Sequence, residues 1–119
     1  MRKAIAAAIL AGGFSWSAVA ADNVVRVGVL NDMSSVYADF QGPGSVLAAK
    51  LAAEDYMKGG EYKVEVISAD HQNKPDIGAN TARQWLDVDG VHVIVDLPNS
   101  AVAFAVNEIV RDKNKVMIG

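Results

Sequence analysis

Short apolar runs alternating with stretches of helical periodicity constrain this chain more than any other feature of it. Residues 24–30 (VVRVGVL) carry a single charge, the pattern of a strand covered on both faces. Gly42, Pro43, Gly44 and Ser45 then punctuate the chain. Residues 46–57 (VLAAKLAAEDYM) place Val46, Ala49, Ala53, Tyr56 and Met57 on one side of a helix that stops at Gly59 and Gly60. Residues 63–69 (KVEVISA) alternate and then turn apolar, predicting a second strand. Asn73 is a candidate cap for the next helix, which runs to about Val88. Pro75 falls in its first turn, where a missing N–H matters little, and Ile77, Trp85 and Leu86 fall on its inner side. Residues 91–97 (VHVIVDL) form a third strand that Pro98 breaks. Ser100 then caps a third helix through Arg111, with Val102, Val106, Ile109 and Val110 inward, and residues 115–118 (KVMI) begin a fourth strand.

The order βαβαβαβ with short connections predicts parallel strands joined by right-handed helical crossovers, an α/β fold with a doubly wound parallel sheet. No internal repeat or low-complexity linker interrupts it. The fourth strand begins with no helix after it to cover its far side, so residues 21–119 read as the opening part of a larger protein. Cysteine is absent, which removes disulfides, thiolate zinc sites and cysteine nucleophiles together. The 11 Lys and Arg are scattered among 14 Asp and Glu, for a net charge of −3. Without a clustered basic face, nucleic acid is not an expected partner.

Residues 1–20 read as a signal peptide rather than as part of the fold. Arg2 and Lys3 precede an uncharged stretch that ends in Ser17, Ala18, Val19, Ala20 and Ala21, the layout of a secretory signal. The small side chains of Ala18 and Ala20 predict cleavage after Ala20. A membrane anchor would need about 18–20 apolar residues, and Gly12, Gly13, Ser15 and Ser17 interrupt this stretch. Export removes ATP, NAD and GTP from the plausible partners, and no cofactor is expected.

In an open α/β sheet, ligands collect beyond the carboxyl ends of the strands. Residues 31–41 (NDMSSVYADFQ) make a long loop there, in which Ser35 and Tyr37 offer hydroxyls and an aromatic wall, although an ordinary solvated loop would look the same. The helix beginning at Ser100 presents unpaired N–H groups and the positive end of its dipole, a receptor for a carboxylate. The plainer alternative is that Ser100 only caps its own helix. His71 beside Asp70 is one histidine without a partner at metal-ligand spacing, so it reads as a surface loop residue and no metal site is expected. His92 reads as a structural histidine and Trp85 as core. Asp32 and Asp96 resemble the acidic cluster of a receiver domain, a reading that export opposes. No GxSxG, GxGxxG or GxxxxGK[ST] occurs, Ser100 sits in PNSAV, and QGPGS is too short for a phosphate loop. The chain is therefore expected not to be an enzyme. The enzymatic alternative, an exported α/β hydrolase, requires Asp70, His71 and Ser100 to converge.

The strings VRVGVLNDMSS, YADFQGPGSVLAAKLAAEDY and KVEVISADHQNKPDIGANTARQW, in that order behind a signal peptide, are together similar to the amino-terminal part of the type I periplasmic solute-binding proteins of ABC importers. This is the family named after the branched-chain amino acid binder. The resemblance implies a periplasmic, two-lobed protein whose lobes close on a small amino acid or an organic or aromatic carboxylate and present it to an ABC permease in the inner membrane. This chain would supply only part of the first lobe, and a truncated remnant without independent binding is the alternative. By the same resemblance, ligand contacts fall on Asn99, Ser100 and Ala101 and near Ser35 and Tyr37. A shared pocket requires the tip of the third helix and the first long loop to lie at the same edge of the sheet.

Overall fold

The computed structural model describes residues 23–119, and the signal peptide read at residues 1–20 lies outside the described residues. The elements are β1 (Val24–Asn31), α1 (Gly42–Met57), β2 (Lys63–Asp70), α2 (Pro75–Asp87), β3 (Val93–Val95), α3 (Ser100–Asp112) and β4 (Val116–Ile118), in the predicted alternation. All strand pairs are parallel, and the sheet order is β2-β1-β3-β4. β1 pairs with β2 along its whole length, from Val24 opposite Lys63 to Asn31 opposite Asp70, but with β3 only from Val27 to Val29.

α2 and α3 cover one face of the sheet, and α1 covers β1 and β2 on the other. On one face Trp85 lies directly over Gly28, and Leu30 and Ile94 join Ala82, Leu86, Val102, Val106, Ile109 and Val110 in a single core. The inward residues expected for α3 are all buried. On the other face Ala53 of α1 looks onto Val64 and Val66, which alternate with the residues of β2 that face the main core. Val116 and Ile118 of β4 are exposed while Met117, between them, packs on the core.

Several local expectations are corrected. α1 begins at Gly42, not at Val46, because Pro43 suits a first helical turn, where its ring supplies the backbone angle and its missing N–H leaves no bond unmade. Tyr56 and Met57 end up exposed at the helix end, although the Met57 Sδ still turns to β2 and accepts from the Val64 N–H at 3.3 Å. β3 is shorter than the apolar run because Asp96 turns the backbone left-handed, at φ 68°, although Val91 and Leu97 are buried all the same. Asn73 does not cap α2, whose cap position is Lys74 without a side-chain bond. The cap of α3 is Asn99 and not Ser100.

Candidate functional site

The chain leaves β1 for one edge of the sheet through α1, and leaves β3 for the other edge through α3. A crevice results between the carboxyl ends of these adjacent strands. Asn31 closes its floor. Fully buried, it donates from Nδ2 both to the Asp96 carboxylate, at 2.8 Å, and to the Gly42 carbonyl, at 2.8 Å. The end of β1, the end of β3 and the start of α1 are thereby clasped by one amide.

The next residue, Asp32, organises the first loop. Its carboxylate is enclosed and accepts from the Ser34 N–H at 3.3 Å, the Ser35 N–H at 2.8 Å, the Tyr37 N–H at 3.0 Å and the Ser35 hydroxyl at 2.6 Å. Burial works against the charge, but the Ser35 hydroxyl and the N–H groups outweigh it and bring the pKa from 3.8 to about 2. Asp70 supports the same loop from β2, accepting from the Met33 N–H at 3.0 Å and the Gln72 N–H at 2.7 Å. Burial again opposes its charge, and the Ser34 side chain with these two N–H groups holds it below the usual carboxylate range.

At the tip of α3, Asn99 has an extended backbone and its Oδ1 accepts from the Val102 N–H at 3.0 Å, while its carbonyl accepts from the Ala103 N–H at 2.8 Å. Ser100 and Ala101 occupy the first helical positions and are exposed. Their N–H groups fall among those that a helix cannot satisfy internally.

The predicted contacts thus sit at one edge of the sheet, with Ser35 and Tyr37 after β1 and Asn99, Ser100 and Ala101 after the neighbouring β3. Ser35 is exposed and Tyr37 half-buried, and among the described residues no hydrogen bond joins the two groups directly. The Ser35 hydroxyl already donates to Asp32, which leaves it free only to accept. A groove of about 390 Å³ between Asn107, Arg111 and Met117 lies at the amino edge, away from all of them.

His71 differs most from expectation. It is fully enclosed, not on the surface, with Nδ1 accepting from the Asn73 N–H at 3.0 Å and Nε2 buried without a partner among the described residues. Burial pulls its pKa below 6.5 against the opposing pull of the Asp32, Asp70 and Asp96 carboxylates. Among the described residues no hydrogen bond links His71 to Ser100 or to the Asp70 carboxylate, so the hydrolase constellation is not assembled. Among the described residues no three His, Asp or Glu side chains are arranged to hold a metal ion. His92 accepts from the Arg26 N–H at 3.0 Å, the structural role expected of it.

A parallel α/β lobe with a crevice at the reversal of strand order, flanked by a long loop and a helix tip, belongs to the class of folds that hold small ligands at that point. The sequence profile of the periplasmic binding protein family matches residues 24–119, and the chain belongs to that family. Among solved structures it is similar to a periplasmic binding protein from Burkholderia mallei, with 39% identity and a TM-score of 0.74 over 82% of this chain and 27% of that one. It is also similar to a branched-chain amino acid ABC transporter periplasmic ligand-binding protein from Burkholderia xenovorans, with 49% identity and a TM-score of 0.73 over 78% of this chain and 25% of that one. A solute-binding protein from R. palustris in complex with benzoate shares the fold, with a TM-score of 0.65 at 19% identity over 80% of this chain and 27% of that one. The chain therefore spans about a quarter of the length of these relatives. No curated protein matches it.

Proposed function

We propose that the protein is the solute-binding component of an ABC importer, exported to the periplasm with cleavage near Ala20, where it captures a small amino acid of the branched-chain type or an organic or aromatic carboxylate without chemistry and delivers it to an inner-membrane permease. The observation that carries this reading is the pairing of the exposed α3 tip with the loop after β1 across adjacent parallel strands. In this reading the Ser100 and Ala101 N–H groups and the Ser100 hydroxyl receive the carboxylate, and Asn99 caps the helix beneath it. Ser35 and Tyr37 meet the solute from the first loop, with Asp32 holding their backbone. The likeness to the branched-chain amino acid transporter protein from Burkholderia xenovorans supports the solute class.

The test is thermal unfolding of the purified protein with L-leucine, L-isoleucine, L-valine and benzoate, since a ligand that binds the folded state raises the midpoint by mass action. Ser100→Ala should weaken binding by roughly 1–3 kcal/mol through the loss of a charge-assisted hydrogen bond. The absence of stabilisation by any of the four solutes would overturn the proposal.

A further inference from the structure

The turn after β2 carries a backbone that no local sequence rule requires. Gln72 and Asn73 are consecutive residues in the left-handed region, at φ 51° and φ 58°, and neither is glycine. Such conformations persist only where the surroundings over-determine them, and they gather where a site needs a group held in place. Here the surroundings are explicit. The Asp70 carboxylate takes the Gln72 N–H at 2.7 Å, the buried His71 Nδ1 takes the Asn73 N–H at 3.0 Å, and the His71 carbonyl takes the Lys74 N–H at 2.8 Å. An acceptor at Nδ1 fixes the ring proton on Nε2, so the imidazole that anchors the turn is neutral.

The outcome of this bracing is a single side-chain contact. The Asn73 Oδ1 accepts from the Asn99 Nδ2. The Asn99 amide then has no freedom left: with its nitrogen committed to Asn73, its oxygen faces the Val102 N–H that it caps. The α2 and α3 tips also approach closely at this point, because a Cβ on Gly78 would lie 2.5 Å from Val102 Cγ1.

We propose that Asn73 is a positioning residue for the solute site. Acting through Asn99, it sets the orientation of the α3 tip and so aims the Ser100 and Ala101 N–H groups. The inference rests on the reading of that tip as the carboxylate receptor, and it makes the turn after β2 part of the recognition machinery.

Asn73→Gly tests it, since glycine adopts φ 58° freely and removes only the acceptor. Asn99→Ser is the companion variant, because serine caps a helix but offers Asn73 no amide donor. Affinity is measured by calorimetry with whichever of L-leucine, L-isoleucine, L-valine and benzoate binds the wild type most tightly, and amide exchange is followed at Val102. Asn73→Gly should weaken binding about three- to tenfold and speed exchange at Val102, effects of the size that a lost capping interaction has. In the Asn99→Ser background it should add nothing. An equal loss in both backgrounds, or an unchanged Val102 amide, overturns the proposal. If the wild type binds none of the four solutes, the importer reading fails on its own, and an exchange rate at Val102 that responds to Asn73→Gly but not in the Asn99→Ser background still supports the bracket.

Discussion

Replacing Gly28 by alanine adds one methyl group at the centre of the sheet, and its effect follows from what that methyl would meet. The new Cβ would lie 2.4 Å from Trp85 Cζ3 and 2.5 Å from Cε3. Carbon atoms rest about 3.5–4.0 Å apart, so the indole would have to retreat by about 1 Å or more. It has little room to do so: Trp85 is 6% exposed and belongs to the same core as fully buried Ala82 and Ile94. A rigid ring cannot escape by changing a terminal torsion, as a lysine or methionine would. Overpacking of this kind typically costs about 1–3 kcal/mol. At roughly 4–8 °C per kcal/mol for a domain of this size, the melting temperature should fall by several degrees at the least. Urea unfolding is the assay, followed by far-UV circular dichroism, a signal that every variant of the cycle retains. Trp85→Leu supplies the control. The smaller side chain leaves space for the methyl, so the double variant should be more stable than the sum of the singles predicts, by about 0.5–3 kcal/mol. A Gly28→Ala protein within about 0.5 kcal/mol of wild type, the range of neutral surface changes, would refute the reasoning. So would strict additivity with Trp85→Leu.

Two pH effects of the same overall sign but in different windows are also expected. The Asp32 carboxyl has a folded pKa of about 2 against 3.8, so the stability it contributes is present above pH 3.8 and lost as the pH falls toward 2; urea midpoints across that window should flatten in Asp32→Asn. His71 is held below 6.5 by burial, so the unfolded chain binds its proton first and stability falls as the pH drops below 6.5; His71→Gln should remove that slope, and an unchanged slope would mean that the ring is not enclosed in solution.

The strands and the buried stripe of α3 were legible in the sequence because they depend on periodicity, which the chain carries locally. Val102, Val106, Ile109 and Val110 needed no knowledge of their neighbours to be placed inward. Trp85 was legible for the same reason, while its counterpart Gly28 was not, since its significance appears only when α2 lies across β1. At the site the division is similar. Asn99 and Ser100 are both good caps, and the choice between them turns on which has the extended backbone, a matter of single dihedral angles. His71 is enclosed where α2 passes beside it, a Cβ on Gly78 falling 3.7 Å from His71 Cβ, and no local pattern announces that approach. Asp32 followed at short range by serines carried a usable signal, a side chain able to bond the backbone a few residues on. Reading it only as a possible phosphoacceptor passed over that role.

The interleaved strand order also bears on how the molecule assembles. β1 is the first of the described strands to be synthesised and yet lies inside the sheet, between β2 and β3. Its ladder with β2 can form once Asp70 has been made, but its other edge waits for Val93 to Val95. Pairings so distant along the chain carry a large closure entropy and slow the search for the native arrangement. During that delay VVRVGVL is an apolar ribbon with one side open to mispairing, and the charge of Arg26 is the single gatekeeper within it.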